Sequence, residues 1–270
     1  MASRAAAEQT GRPEHQEGGA GTTKAVSVWR GGPGGGEFVS YNVPIVEGMV
    51  VLDAVLWIQS HLQPDLSVRW NCKAAKCGSC GAEVNGFPRL MCKTRLADYA
   101  GDVRVGPMQV FPIVQDLVTD VSWNYEVNRQ IPQFTPSEAD RKDPDAWRMD
   151  QSDIERVTDL RRCIECFLCQ DVCHVLRNHD GKSRYYGPRF MVRIAGLEMH
   201  PKDSLDRRPL LKTGGGLGMC NVTKCCQEVC PENIHITDDA IIPLKERVAD
   251  LYFDPILALF RRLRGGDSGN

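Results

Sequence analysis

The chain has 270 residues, room for one large domain or two ordinary ones, and its 42% hydrophobic and 25% charged content is that of a globular protein. A formal net charge of -2 leaves no global electrostatic case for nucleic acid as a partner. No apolar run reaches the roughly 18 residues of a membrane-spanning helix; the most apolar stretch, VPIVEGMVVLDAVLWI, is broken by Glu47 and Asp53.

Residues 1–23 lack the apolar segment of a secretory signal, and Glu8, Glu14 and Glu17 argue against a transit peptide. Poor in hydrophobics and rich in Gly, Ala and Gln, they read as a disordered tail. In KAVSVWRGGPGGGEFVSYNVPI two β-rich runs flank a Gly-rich turn, which predicts a hairpin. The glycines around Pro33 do not have a dinucleotide or P-loop spacing. In VVLDAVLWIQSHL, residues Val51, Val55, Ile58 and Leu62 recur at helical spacing, so an amphipathic helix is expected over 50–62, ended by Pro64. GDVRVGPM and FPIVQDLV are strand-like. Residues 24–122 thus form a β-rich domain carrying one helix.

Residues 123–150 are polar and hold Pro132, Pro136 and Pro144, which reads as a long surface connection. Residues 151–252 are mainly helical: Ser152 and Glu155 have capping-box spacing, and GPRFMVRIAGLEM and DDAIIPLKERVADLYF are helical by period. Residues 253–270 form a C-terminal tail. Its LALFRRLRGG reads as solvated, with contact to an anionic membrane surface as the alternative.

Twelve cysteines without an export signal read as metal ligands rather than disulfides. The first set is Cys72-x4-Cys77-x2-Cys80-x11-Cys92, the spacing of plant-type 2Fe–2S sites. Ala74, Ala75, Gly78, Ser79 and Gly81 let the backbone wrap closely, so that successive N–H groups reach the sulfurs. Lys73, Lys76 and Lys93 offset thiolate charge. Zinc, the competing reading, prefers paired Cys-x2-4-Cys units across a longer loop.

The second set, Cys163-x2-Cys166-x2-Cys169-x3-Cys173, is the bacterial ferredoxin run, with His174 where proline usually follows. The third, CNVTKCCQEVCP, fits the same template as Cys220, Thr223, Cys226 and Cys230 before Pro231, with a ligand missing at Thr223. In two-cluster ferredoxins the fourth cysteine of each run serves the other cluster. Crossing the runs assigns Cys163, Cys166, Cys169 and Cys230 to a 4Fe–4S cluster. It assigns Cys173, Cys220 and Cys226 to a 3Fe–4S cluster. Cys225 lies outside the template: a spare thiol beside the cluster, or a substitute for Thr223 that completes four irons. A Thr223 hydroxyl also has the chemistry to hydrogen-bond a sulfide.

Carried by CKAAKCGSCG, CIECFLCQDVC, YYGPRF and CNVTKCCQEVCP, the chain resembles the iron–sulfur subunits of succinate dehydrogenases and fumarate reductases over about residues 24–250. The resemblance implies an α+β architecture, a β-grasp 2Fe–2S domain followed by an α-helical two-cluster ferredoxin domain. It implies a flavoprotein partner with covalent FAD, a membrane anchor, and a quinone at the 3Fe–4S end. The chain would then lie peripherally on the cytoplasmic face of the cell membrane. Well-known ubiquinone-linked members have Pro and a nearby Trp after the fourth cysteine of the first ferredoxin run, and His after the first cysteine of the last. This chain has CHVLRNHD and Asn221, closer to menaquinone-linked relatives. On the resemblance, His174, His179 and Asn221 are candidate proton or quinone contacts, with ordinary surface or interface residues as the alternative. The expected role is electron relay with no bond chemistry of its own. The alternatives are the corresponding subunit of a fumarate reductase, including a thiol-linked one, a soluble ferredoxin-like carrier, and a zinc-stabilised structural protein.

Overall fold

The computed structural model describes residues 22–142, 147–178, 182 and 184–255. Residues 1–21 of the expected tail, His179 and the stretch LALFRRLRGG lie outside the described residues.

Strands β1 (Thr23–Gly32) and β2 (Gly35–Pro44) form the expected hairpin, in antiparallel register from Thr23↔Pro44 to Gly32↔Gly35. The Gly-rich loop is shorter than expected. Its glycines continue the ladder, with Gly31 opposite Gly36, and Pro33 and Gly34 alone make the turn. Helix α1 (Val51–His61) follows, its first turn held by the Asp53 carboxylate accepting from the Val50 N–H at 3.2 Å. It ends before Pro64 and buries Val51, Leu52, Ala54, Val55 and Ile58.

Strands β3 (Gly81–Val84), β4 (Phe87–Leu90) and β5 (Val103–Gly106) complete a mixed sheet of order β2-β1-β5-β3-β4. Its one parallel pair is β1 with β5, Val26 opposite Val103 and Val28 opposite Val105. These valines, with Val43, Val55 and Ile58, are fully buried and form the centre of the first core. The short strands β6 (Ile113–Gln115) and β7 (Val118–Thr119) make a separate ribbon. Between them the fully buried Asp116 accepts from Gly31 N at 2.9 Å, Ser67 N at 2.8 Å and Arg30 Nε at 3.2 Å, pinning the ribbon to β1.

Within the expected connection lies a helix, α2 (Ser122–Gln130), followed by the short α3 (Glu138–Lys142). The buried face of α2 is Asn124 and Val127, with Ile131 just beyond it, so an asparagine takes a core position and blurs the apolar period. Helix α4 (Gln151–Arg161) starts one residue before Ser152, with Asp150 at its N-cap position. The expected capping box therefore does not form; Glu155 instead accepts from Gln151 Nε2 at 3.0 Å.

The remaining helices are α5 (Leu168–Asp171), α6 (His174–Asn178), α7 (Pro188–Glu198), α8 (Arg208–Lys212), α9 (Cys225–Glu228) and α10 (Ile242–Tyr252). A π-helical turn, Ile236–Ile241, leads into α10 and packs on α7, whose Phe190, Met191, Ile194 and Ala195 form the second core. Helix α5 packs against β4, so the core runs unbroken from sheet to helices.

Candidate metal centres

The first cysteine loop precedes β3, and Cys92 follows β4. Met91 N donates to Cys80 O at 3.0 Å, closing the hairpin that brings Cys80 and Cys92 together. Lys73, Ala75 and Gly78 have positive φ, which folds the loop back on itself. In consequence Ala74 N and Lys76 N both donate to Cys72 Sγ at 3.3 Å, the N–H···S contacts expected from the small residues there. Burial pushes Cys77 up, but hydrogen bonds from the Ser79 side chain and from the Cys72 and Ser79 backbones outweigh it and bring the thiol to about 6. Cys80 is pushed up to about 12, by burial first and by its neighbours Cys92 and Cys77.

The lysines expected to offset thiolate charge have further partners. Lys73 pairs with Asp53 at 4.0 Å. Lys76 pairs with Glu232 at 3.4 Å, and Lys93 Nζ donates to Pro231 O at 2.9 Å. The last two clasp the first loop to the segment just after Cys230.

The second and third runs have one backbone pattern. Positive φ falls at Glu165 and Phe167 in one and at Val222 and Lys224 in the other, two and four residues after the first cysteine. A left-handed residue then starts a single helical turn in each, Phe167 before α5 and Lys224 before α9. Thr223 therefore occupies the place of Cys166, Cys226 that of Cys169, and Cys225 that of Leu168. Thr223 Oγ1 lies 3.4 Å from His174 Nδ1 and 3.4 Å from Cys225 Sγ. Asn221 is exposed in the same loop.

The runs cross in space. Cys163, Cys166, Cys169 and Cys230 line one small cavity, closed by Phe167, Val192, Ile234 and Ile236. Burial, then mutual repulsion, pushes Cys166 up to about 12 and Cys169 well above the ordinary thiol value. Cys173 is pushed up to about 11 by burial and by Cys225 and Cys220, and Cys226 to about 12 by burial and by Cys225, Cys220 and Cys173. Cys226 Sγ also meets Thr237 Oγ1 at 3.5 Å. Ile234 N donates to Cys230 Sγ at 3.4 Å.

Two buried polar groups test whether these cavities fit anionic clusters. Arg189 lines the first cavity; among the described residues its Nε has no hydrogen-bond partner, and its charge acts on Cys163. Tyr185 is 1% exposed; among the described residues its hydroxyl completes no well-formed hydrogen bond, and Cys220, Cys173 and Cys226 are its electrostatic neighbours. A donor without an acceptor is costly in a native interior, and sulfide and thiolate would accept from both. Thiols that burial holds neutral become thiolates only against a cationic metal core. Among the described residues no three His, Cys, Asp or Glu side chains converge as tightly as one metal ion needs. Thiolates of a polynuclear cluster meet different irons and stand farther apart.

The three sets lie in series. A Cβ at Gly78 would stand 2.7 Å from Cys166 Cα, so the first loop touches the second, and Cys169 in turn feels Cys226 of the third. Gln170, fully buried next to Cys169, ties α5 to its neighbours. It donates to Asn124 Oδ1 at 3.3 Å and to Tyr186 O at 3.0 Å, and accepts from Arg189 N at 3.2 Å. Gly187 makes room for it, since a Cβ there would be 2.1 Å from Gln170 Oε1. Arg189, Tyr185 and Gln170 carry no ligand spacing, so spacing alone does not reveal them. The quoted YYGPRF was the signal that contained two of the three.

Two domains of known kind match this arrangement: a 2Fe-2S iron-sulfur cluster binding domain over residues 25–126 and a 4Fe-4S dicluster domain over residues 159–234. The chain is therefore an electron-transfer protein with 2Fe–2S and 4Fe–4S centres. It is 32% identical over 204 residues to a fumarate reductase iron-sulfur subunit of Mycobacterium tuberculosis, covering 73% of this chain and 80% of that one. It is 32% identical over 208 residues to the subunit of that name in Haemophilus influenzae, covering 72% and 80%. Among solved structures, a chain of the Mycobacterium smegmatis Sdh1 complex in its apo form superposes with a TM-score of 0.84 at 54% identity, covering 88% of this chain and 100% of that one. The chain belongs to the iron–sulfur subunits of succinate dehydrogenases and fumarate reductases. It is a subunit of an oxidoreductase complex, and no described helix is long and apolar enough to cross a membrane.

Proposed function

We propose that the chain relays electrons one at a time from the flavin of a partner flavoprotein to a quinone, in a succinate:quinone oxidoreductase of the menaquinone-linked kind. The observation that carries this is the serial contact of the three thiol sets, Gly78 against Cys166 and Cys169 beside Cys226. On this reading Cys72, Cys77, Cys80 and Cys92 hold 2Fe–2S, and Cys163, Cys166, Cys169 and Cys230 hold 4Fe–4S. Cys173, Cys220 and Cys226 hold 3Fe–4S, with Thr223 at the corner that lacks a ligand. The clusters supply the reversible one-electron chemistry. The chain fixes their spacing, excludes water from the thiols and sets hydrogen bonds to the sulfurs. Residues 24–122 and 151–252 are the two cluster domains. The complex lies on the cytoplasmic face of the cell membrane, held there by an anchor subunit.

Fumarate reduction is the second reading, favoured by the names of the two relatives at 32% identity; the 54% identity to a chain of the Sdh1 complex favours succinate oxidation. The native complex, purified with its partner subunits, tests both. The expected result is about nine irons per copy of this chain, covalent flavin on a second subunit, and faster quinone reduction by succinate than quinol oxidation by fumarate. Zinc as the main metal, or about two irons, defeats the relay, and a reversed rate ratio defeats the direction.

A further inference from the structure

Tyr185 precedes Tyr186, Gly187 and helix α7, and it is among the most deeply buried large side chains of the protein. Its hydroxyl has no hydrogen-bond partner among the described residues. The neighbouring tyrosine shows the ordinary arrangement: Tyr186 Oη donates to Gln130 Oε1 at 2.8 Å. Tyr185 instead faces the third thiol set: Cys220, Cys173 and Cys226 act on it by charge, and the Cys220 thiol approaches its hydroxyl without completing a well-formed hydrogen bond. A buried phenol without an acceptor loses its hydration for nothing. The acceptors within reach are sulfurs of the third set, with Cys220 acting on the hydroxyl most strongly.

We propose that the Tyr185 hydroxyl donates a hydrogen bond to a sulfur of the cluster held by Cys173, Cys220 and Cys226, and by doing so raises the reduction potential of that last centre. The inference rests on the reading of these three cysteines as the 3Fe–4S ligands. A donor bond to sulfur stabilises the reduced, more negative state more than the oxidised one, because hydrogen bonds strengthen with acceptor charge. An ordinary phenol titrates at about 10, so the donor persists at working pH. Raising the last potential draws electrons out of the preceding centre and holds one ready for the acceptor. Hydrogen bonds to the sulfurs are one of the levers by which a protein sets such potentials.

The test is a redox titration of the purified native complex, followed by the EPR signal of the oxidised three-iron cluster, in wild type, Tyr185→Phe and Tyr186→Phe. Phenylalanine keeps the ring and its packing and removes only the donor. Tyr185→Phe should lower the ratio of reduced to oxidised three-iron cluster at a fixed ambient potential about three- to tenfold, tenfold being about 59 mV for one electron. The 2Fe–2S and 4Fe–4S midpoints should not move. Tyr186→Phe removes a hydroxyl bound to Gln130 and should shift none of the three. An unchanged three-iron midpoint in Tyr185→Phe, an equal shift in Tyr186→Phe, or a lost three-iron signal in Tyr185→Phe alone overturns the hydrogen-bond role. A wild type without any three-iron signal overturns the ligand reading beneath it.

Discussion

At the scale of single residues, the third run raises the question of why one of its thiols stands apart. The matching positive φ at Val222 and Lys224 puts Thr223 where the second run has Cys166, so on the proposed ligand set the hydroxyl stands at the corner that lacks a ligand. Cys225 falls where the second run has Leu168, on the first turn of α9, with Cys226 beside it at a ligand position. For Cys225 to bind the open corner, its sulfur would have to pass Thr223 Oγ1, now 3.4 Å away, while Cys226 stays in place. Cys225→Ser should therefore leave the oxidised three-iron EPR signal at full intensity. Thr223→Cys, which puts a thiol at the corner itself, should convert the site toward four irons and reduce that signal severalfold. A three-iron signal that appears only after Cys225→Ser would make Cys225 the fourth ligand.

At the scale of elements, the cysteine spacings marked the loops that the fold brings together. Cys72-x4-Cys77-x2-Cys80 and the two ferredoxin runs are local, because a loop that wraps a cluster needs its ligands close in sequence. What escaped was long-range. Helix α2 was read as a connection because Asn124, hydrogen-bonded to Gln170, fills an inward position that a period search expects to be apolar. Arg189 and Tyr185 belong to the cluster cavities only after α7 and the turn before it have folded over the thiols. Gly78 was legible as a small residue, but not as the contact point between the first two loops. Its φ of 71° is strained for any side chain, and an added methyl would press on Cys166 Cα at 2.7 Å, a backbone atom that cannot rotate away. Gly78→Ala should cost about 2–4 kcal/mol of local stability and separate the two loops. Slower reoxidation of the 2Fe–2S centre in rapid-freeze kinetics, with wild-type iron content, is the expected observation; unchanged kinetics would show that the loop yields without moving the centre.

At the scale of the whole molecule, the relay depends on two domains staying docked, and a small buried charge group holds them. Arg177, at the end of α6, binds Glu83 on β3 and lies 3.3 Å from Asp171 on α5. Asp171 is fully buried and Glu83 is 5% exposed; Asp171 also accepts from Val110 N at 3.1 Å, tying α5 to the chain beyond β5. One guanidinium thus serves two carboxylates from opposite sides of the interface. The clasps of Lys76 on Glu232 and Lys93 on Pro231 are exposed and weaker. Arg177→Met keeps an unbranched apolar stem and removes the guanidinium and its charge, leaving two buried carboxyl groups facing each other, of which burial already pushes Asp171 up to about 7. Breaking such a group by removing one partner costs about 3–5 kcal/mol, so the variant complex should melt at a lower temperature and be cleaved faster between its two domains. Adding Glu83→Gln to Arg177→Met removes the repulsion and should recover part of the loss. That recovery separates a charge effect from a packing one. If Arg177→Met melts with the wild type, the docking rests on the apolar contact of α5 with β4 and on the exposed clasps.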